Sequence, residues 1–196
     1  MPEKNFYIIA GCNGAGKTTA SFTILPEVLD CREFVNADEI ARGLSPFQPE
    51  KVAFEAGRIM LHRIDELFAR GETFAVETTL ATKIYQQKIR VAQQHGYTVT
   101  LLYFWLSSLE LAQARVATRV AEGGHCIAPE VIERRYWQGI RQLFSNYLTL
   151  VDDAFIFDNS SGKPVLLAES SASGFRISND SLYQQLRNQY ESRKAD

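Results

Sequence analysis

The chain has 196 residues, of which 45% are hydrophobic and 22% charged, and its formal net charge at pH 7 is -2. These values are ordinary for a soluble protein of one globular domain, which at this length buries enough surface to need no covalent staples. The absence of long basic or acidic runs argues against nonspecific binding to nucleic acid or to a membrane surface as the main activity.

The cysteines and histidines give no sequence signature of a metal cluster. The three cysteines, Cys12, Cys31 and Cys126, form no CxxC or CxxH pair, so reduced thiols are expected. The N-terminal run MPEKNFYIIAG is too short for a signal peptide, and no apolar stretch is long enough to span a bilayer. We therefore expect a cytoplasmic protein with no membrane partner.

The first half of the chain alternates short apolar runs with helical patterns. The predicted strands are 5–10, 33–37 and 73–77. The predicted helices begin near Lys17, run from near Glu50 to Gly71, and extend over 82–95. Prolines before residue 50 indicate a helix start, and Gly71 indicates a helix end.

The second half continues the alternation. Strands are predicted at 97–106 and 153–158, with two short strands, 164–170 and 174–178, near an edge. Helices are predicted from Ser108 to about Val120, after Pro129, and over 181–193. Strands alternating with helices predict a three-layer α/β fold, a mostly parallel sheet with helices on both faces, in a single domain over 1–196.

Residues 11–18, GCNGAGKT, match the phosphate-binding pattern GxxxxGK[ST] between a predicted strand and a predicted helix. Glycines let the backbone turn its N–H groups toward phosphates, and the following helix adds its positive end. Lys17 would reach the β- and γ-phosphates, and the Thr18 hydroxyl would ligate Mg²⁺. The alternative is an ordinary glycine turn. The residues expected to bind the nucleotide here are Gly11, Asn13, Gly14, Ala15, Gly16, Lys17, Thr18 and Thr19.

The polar cluster Glu77-Thr78-Thr79 follows the third predicted strand, where open α/β sheets bind ligands. The chain contains no LSGGQ-like segment of a transporter ATPase and no NKxD motif of a GTPase. One carboxylate with two hydroxyls suits a polyhydroxy substrate or the water around Mg²⁺. The alternative is a solvated strand end.

Asp38 follows the second predicted strand, with Asn36 before it and Arg42 one turn later. Because the carboxyl ends of parallel strands share one edge, Asp38 would lie near the phosphates and could take a proton from an attacking hydroxyl. A structural alternative is that Asp38 is the N-cap of a helix and pairs with Arg42. We expect Asn36, Asp38 and Arg42 to contact the substrate.

The segment at about 115–136 has the pattern of a lid that closes over phosphates. Arg115 and Arg119 are one helical turn apart, a glycine break with His125 follows, and Arg134 and Arg135 lie on the next helix. Arginines closing over the phosphates would exclude water and stabilise the transferred charge. The alternative is two solvated helices with surface ion pairs.

These segments, in this order, resemble the zeta-toxin-like P-loop kinases. The matching segments are AGCNGAGKTT, VNADEIARGLSP, FAVETTLAT, ARVATRVAEGGHCIAPEVIERRY and FDNS. The resemblance implies that Asp38 is the base, that Lys17 and Arg119 with Arg134 or Arg135 stabilise charge, and that Glu77 and Thr79 contact substrate. It places Asn159 beside the adenine of ATP. Cys12 stands where proline is usual in this family.

The resemblance implies an ATP- and Mg²⁺-dependent kinase that phosphorylates a sugar hydroxyl of a UDP-N-acetylglucosamine-type nucleotide sugar and is restrained by an antitoxin protein. Two alternatives stay open. One is a kinase for another hydroxyl, on an antibiotic, a free sugar or a nucleic-acid end, the last disfavoured by the charge balance. The other is a nonenzymatic, nucleotide-dependent binding module.

Overall fold

The computed structural model of the protein describes residues 3–124 and 126–193. Its strands are β1 (Lys4–Ala10), β2 (Glu33–Val35), β3 (Phe74–Thr78), β4 (Tyr97–Trp105), β5 (Asp153–Asp158), β6 (Val165–Ser171) and β7 (Gly174–Ile177). Its α-helices are α1 (Lys17–Glu27), α2 (Ala37–Leu44), α3 (Ala53–Arg70), α4 (Ile84–Gln94), α5 (Leu109–Ala121), α6 (Pro129–Gln142) and α7 (Asp180–Ser192). A 3₁₀ turn at Pro49–Val52 precedes α3, and a π-helical turn at Leu143–Tyr147 follows α6.

The seven strands form one sheet in the order β2-β3-β1-β4-β5-β6-β7. The strands from β2 through β5 pair in parallel, and β6 and β7 add an antiparallel edge. The predicted mostly parallel α/β fold is therefore confirmed. After β1, the chain first forms β2 and β3 on one side of β1 and then crosses to form β4 on its other side. Ligands of such sheets bind where the strand order reverses, at the carboxyl end of β1.

The central strands are buried on both faces, as a sheet covered by helices on each side requires. In β4 every residue except Thr98 is buried. At the amino end of the sheet, rings of four residues pack edge to face or tilted: Phe6, Phe68, Phe74 and Tyr97. The carboxyl end carries the polar side chains of the predicted site.

Helix ends follow local chemistry. Gly71 ends α3 in the left-handed conformation at φ 68°, as predicted. Ser108 caps α5 by accepting a hydrogen bond from the Leu111 N–H, also as predicted. The second strand is shorter than predicted, because Asn36 leaves the sheet to cap α2. Among the described residues, no helix has the length and apolar character needed to cross a membrane.

Candidate phosphate-binding and acceptor site

The phosphate-binding loop joins β1 to α1 and is held from behind by Asn159. Gly16 precedes α1 at φ 78°, in the left-handed region that favours glycine. The Asn159 side-chain amide donates to the Ala15 carbonyl at 2.8 Å, and a Cβ on Gly16 would lie 2.5 Å from the same nitrogen. Asn159 is only 5% exposed, and its Oδ1 is buried without a hydrogen-bond partner among the described residues. The loop is thus fixed by a side chain 144 residues along the chain.

Two further contacts fix the same loop. A Cβ at Gly11 would lie 2.2 Å from the Phe104 carbonyl oxygen, so only glycine allows the loop to pass this close to β4. From α5, the Arg115 guanidinium donates to the Ser160 carbonyl at 2.8 Å and to the Gly14 carbonyl at 3.5 Å. Arg115, which the lid prediction included, therefore joins three segments around the loop.

Glu77, near the end of β3, contacts three polar side chains. Its Oε2 accepts hydrogen bonds from the Thr18 hydroxyl at 2.8 Å and from the Asn36 amide at 2.9 Å. Its Oε1 lies 3.6 Å from Lys17 Nζ, and both side chains of this ion pair are less than a tenth exposed. Lys17 Nζ also donates to the Cys12 carbonyl at 3.0 Å. The carboxylate thus holds the lysine and the threonine of the phosphate loop in place.

The chain after Glu77 turns sharply. Leu80 has φ 57°, in the left-handed region that costs a residue with a side chain on the order of 1–2 kcal/mol. The Leu80 side chain is fully buried, and its N–H donates to the Thr78 hydroxyl at 3.1 Å. Packing and this hydrogen bond therefore stabilise the turn that brings Thr78 and Thr79 to the site.

Asp38 lies in the first turn of α2. The N-cap is Asn36, whose Oδ1 accepts from the Asp38 N–H at 2.8 Å and from the Glu39 N–H at 3.4 Å. The structural alternative that made Asp38 the N-cap was wrong, because the helix begins at Ala37. Arg42 forms its ion pair with Glu39, at 3.2 Å. Within residues 3–124 and 126–193, no side chain forms a hydrogen bond or ion pair with the Asp38 carboxylate.

Two adjoining cavities meet at Asp38. The P-loop cavity, of about 430 Å³, is lined by Asn13, Gly14, Gly16, Lys17, Thr18, Thr19, Phe22, Asp38, Glu39, Arg42, Glu77, Arg115 and Arg119. The α3 cavity, of about 380 Å³, is lined by Asn13, Lys17, Asn36, Ala37, Asp38, Ala53, Phe54, Gly57, Arg58, Met60, Leu61, Glu77, Thr78, Thr79, Thr82, Ile84, Tyr85 and Arg135. Four residues line both cavities: Asn13, Lys17, Asp38 and Glu77.

The predicted lid arginines occupy different places. Arg119 lines the P-loop cavity, and its Nε and Nη2 are buried without a hydrogen-bond partner in the described part of the chain. Arg135 lines the α3 cavity and donates to the Asn13 side-chain oxygen at 3.2 Å. Burial lowers the pKa of Arg135, and the nearby Asp38 carboxylate partly opposes this shift. Arg134 is exposed and lines neither cavity.

Helix α6 reaches the site because Gly139 lets it pack closely. A Cβ at Gly139 would lie 2.9 Å from the Thr79 carbonyl oxygen. On the same helix, the Tyr136 hydroxyl lies 2.8 Å from the Leu106 carbonyl oxygen and 3.1 Å from Gln189 Oε1 on α7. These contacts fix the helix that carries Arg135.

The structure brings most of the predicted residues to one edge of the sheet. Gly11 and Ala15 belong to the loop but line neither cavity, and Asn159 lies behind the loop. Arg42 lies on the phosphate side rather than the acceptor side. His125, assigned to the lid, lies outside the described residues. Sequence reasoning missed the cavity roles of Gly57 and Tyr85 and the close packing at Gly139. Helical periodicity marks Tyr85 only as an apolar-face residue, and nothing in the sequence marks the two glycines.

The residues present fit ATP and Mg²⁺. The P-loop cavity is lined by the backbone of the glycine loop, by Lys17 and by Arg119, whose Nε and Nη2 have no partner among the described residues. These are the groups that bind phosphates. The described residues contain no cluster of three or more His, Cys, Asp or Glu side chains suited to a metal ion. Thr18 would hold Mg²⁺ together with phosphate oxygens of the nucleotide, and the neighbouring Glu77 would contact the water around the ion.

Comparisons with known proteins agree with this geometry. A family model described as an AAA domain (AAA_33) matches residues 7–145. An uncharacterized protein of Haemophilus influenzae is 29% identical over 126 residues, covering 64% of this chain and 88% of that protein.

Solved structures share the fold at low identity. The AvrRxo1-ORF1:-ORF2 complex with ATP has a TM-score of 0.75 at 17% identity, and the match covers 94% of this chain and 63% of that one. This chain therefore spans less than two thirds of that protein. The PezAT toxin-antitoxin system of Streptococcus pneumoniae has a TM-score of 0.68 at 17% identity, with 100% and 87% coverage. A gluconokinase from Sinorhizobium meliloti 1021 has a TM-score of 0.51 at 14% identity, with 79% and 82% coverage.

At these identities the likeness to solved structures shows a shared fold. The resemblance to zeta-toxin-like P-loop kinases is confirmed at that level by the toxin-antitoxin neighbour. The family model covers more than two thirds of the sequence. The chain therefore belongs to the AAA domain family and has the P-loop NTPase fold.

Proposed function

We propose that the protein is an ATP- and Mg²⁺-dependent kinase that transfers the γ-phosphate to a hydroxyl of a small molecule. The observation that carries the proposal is the position of Asp38, whose carboxylate is unpaired among the described residues and lines both the P-loop cavity and the α3 cavity. ATP would occupy the first cavity and the acceptor the second. The gluconokinase and the ATP complex among the structural neighbours support this assignment.

The residues divide the reaction between them. Lys17 and Arg119 bind the phosphate oxygens, and Arg135 stabilises charge near the acceptor. When bound, Mg²⁺ neutralises charge on the β- and γ-phosphates. A bond forms between the acceptor oxygen and the γ-phosphorus while the bond from that phosphorus to ADP breaks, and the acceptor proton goes to Asp38. Closure of the segment at 115–136 would exclude water from this step.

The resemblance makes a UDP-N-acetylglucosamine-type nucleotide sugar the first acceptor to test, with antibiotics, free sugars and nucleic-acid ends as alternatives. An antitoxin that blocks the site is proposed on the likeness to the PezAT toxin-antitoxin system. A partner of this kind would inhibit phosphate transfer when mixed with the purified enzyme.

The test is Asp38→Asn with Asp180→Asn as its control. Both aspartates lie in the first turn of a helix capped by an asparagine, and Asp180 is exposed on α7, away from both cavities. We expect Asp38→Asn to keep ATP binding, measured by calorimetry, and to lower acceptor phosphorylation by about a hundredfold or more, measured by mass spectrometry with a metabolite pool. Asp180→Asn should leave both unchanged. Equal transfer rates for the wild type and Asp38→Asn would reject Asp38 as the base.

A further inference from the structure

The wall of the α3 cavity is largely apolar beyond Asp38. Met60 and Tyr85 are 3% and 6% exposed, and the Tyr85 hydroxyl donates to the Met60 sulfur at 3.6 Å. Leu61 continues this wall along α3. A ligand that enters the cavity therefore meets hydrocarbon and an aromatic ring beyond the group that faces Asp38.

Several of the polar groups that line the cavity are already bonded within the protein. Both ends of the Asn36 amide are used, by the N-terminus of α2 and by Glu77. Glu77 accepts from Thr18 and Asn36, and Thr78 accepts from the Leu80 N–H. Hydroxyls of a polyhydroxy acceptor would have to compete with these hydrogen bonds. The polar groups left are the hydroxyls of Thr79 and Thr82, in the connection from β3 to α4, and the guanidinium groups of Arg58 and Arg135.

Gly57 leaves space in this wall. It lies inside α3, where glycine costs on the order of 1 kcal/mol relative to alanine. A Cβ built on Gly57 would meet nothing within 4 Å, so neither packing nor backbone conformation explains the glycine. At the mouth, Phe54 and Ile84 are 83% and 46% exposed although both are large and apolar. An apolar ligand over Gly57 would cover these surfaces.

We infer that the acceptor is an alcohol with a compact apolar body, aromatic or alicyclic, rather than a polyhydroxylated sugar. Its hydroxyl faces Asp38, and its body lies over Gly57 against Met60 and Tyr85. The cavity of about 380 Å³ lies at the small end of ligand sites, which suits a compact molecule. The inference rests on the proposed kinase function and narrows its acceptor class. Gly57 then sets the size of acceptor that fits.

The test compares four acceptors with ATP and Mg²⁺: 2-phenylethanol, cyclohexylmethanol, glucose and UDP-N-acetylglucosamine. An apolar wall disfavours an added hydroxyl by about a hundredfold, so kcat/KM for the first two should exceed that for glucose by roughly this factor. The nucleotide sugar should be poorer than both. Saturation-transfer NMR, with a nonhydrolysable ATP analogue present, measures binding of each acceptor independently of turnover.

Gly57→Leu is the matched perturbation and Gly43→Leu its control. Both glycines lie within helices with open space at the Cβ position, but Gly43 is exposed and lines neither cavity. We expect Gly57→Leu to lower kcat/KM and NMR binding for the two apolar alcohols by about tenfold or more while ATP affinity and melting temperature hold. Gly43→Leu should match the wild type in every readout.

The outcomes separate the inference from the function on which it rests. Faster transfer to glucose or to the nucleotide sugar than to the apolar alcohols overturns the acceptor class and leaves the kinase function standing. Equal use of the apolar alcohols by Gly57→Leu and the wild type also overturns it. If ATP binds and no acceptor is phosphorylated, the kinase function fails. In that case the apolar site would still be supported if NMR showed that the wild type binds the alcohols and that Gly57→Leu does not. It would be rejected if the wild type bound neither alcohol.

Discussion

Replacing Glu77 by glutamine tests whether this buried carboxylate stabilises the nucleotide-free protein through its ion pair with Lys17. Its Oε1 lies 3.6 Å from Lys17 Nζ, with both side chains less than a tenth exposed. At an effective dielectric constant of about 20, two unit charges at this distance attract by about 5 kcal/mol. Desolvation offsets part of this attraction, and removing one partner of a buried ion pair costs about 3–5 kcal/mol because the other charge is left unpaired.

We therefore expect Glu77→Gln to lower the free energy of unfolding of the nucleotide-free protein by about 3 kcal/mol. For a chain of this size, that is a fall of about 6–12 °C in melting temperature, measurable by calorimetry. ATP added without Mg²⁺ should bind Glu77→Gln at least as tightly as it binds the wild type. The phosphates of ATP replace the carboxylate that Lys17 has lost, and the negative charge of Glu77 no longer repels them.

The control is Glu39→Gln, the same substitution on the P-loop cavity. The Glu39–Arg42 pair is closer, at 3.2 Å, but its side chains are 47% and 50% exposed. Exposed pairs of this kind contribute at most about 1 kcal/mol, so the melting temperature should fall by less than about 4 °C. If the two variants melted at the same temperature, burial would not determine how much each ion pair contributes to stability. The role assigned to Glu77 would then be wrong.

Three further predictions concern the arginines, the packing of α6 and alkaline pH. Arg119→Ala should slow transfer by about a hundredfold or more. It should leave the melting temperature unchanged in a thermal scan, because the Nε and Nη2 atoms that it removes have no hydrogen-bond partner among the described residues. Arg115→Ala, which removes the hydrogen bonds to Gly14 and Ser160, should lower the melting temperature. Gly139→Ala should displace α6 from Thr79 and cost about 1–3 kcal/mol of stability in denaturant unfolding, and an unchanged midpoint would contradict the close packing. Burial raises the pKa of Cys12 and Cys31 from 9 to about 11 and that of Tyr85 from 10 to about 12. The unfolded chain therefore loses these protons first, so stability should be full below pH 9 and fall from pH 9 to 12 by up to about 1.4 kcal/mol per group for each pH unit crossed, as unfolding at stepped pH would show.

The sequence predicted the parts of the fold that depend on local pattern. Strand β5 has the predicted bounds, and α3 ends where Gly71 predicts its end. The alternative that made Asp38 the N-cap of α2 was wrong; aspartate and asparagine have similar capping preference, and the tertiary contact to Glu77 distinguishes Asn36. That contact joins residues 41 apart, which no local pattern can report.

The candidate site shows the same division. The phosphate loop could be read from its motif, since one continuous segment supplies its glycines, lysine and threonine. The hydrogen bond from Asn159 to Ala15 joins residues 144 apart, and the one from Arg115 to Ser160 joins residues 45 apart. Only the fold brings these residues together. Sequence grouped Arg134 with Arg135, whereas helix geometry exposes the first and turns the second toward Asn13.

The arrangement around Asp38 bears on whether water or an alcohol accepts the phosphate. A hydrolase needs one ordered water molecule beside the γ-phosphate, held by polar groups. Here the carboxylate instead adjoins a second cavity large enough for a small molecule, with Met60 and Tyr85 in its wall. An alcohol that displaces water from the apolar part of this wall gains free energy as its apolar body is covered. The same displacement would bring the acceptor hydroxyl to the Asp38 carboxylate, which can take its proton. Under the proposed function, a bound alcohol is therefore expected to accept the phosphate in preference to solvent water.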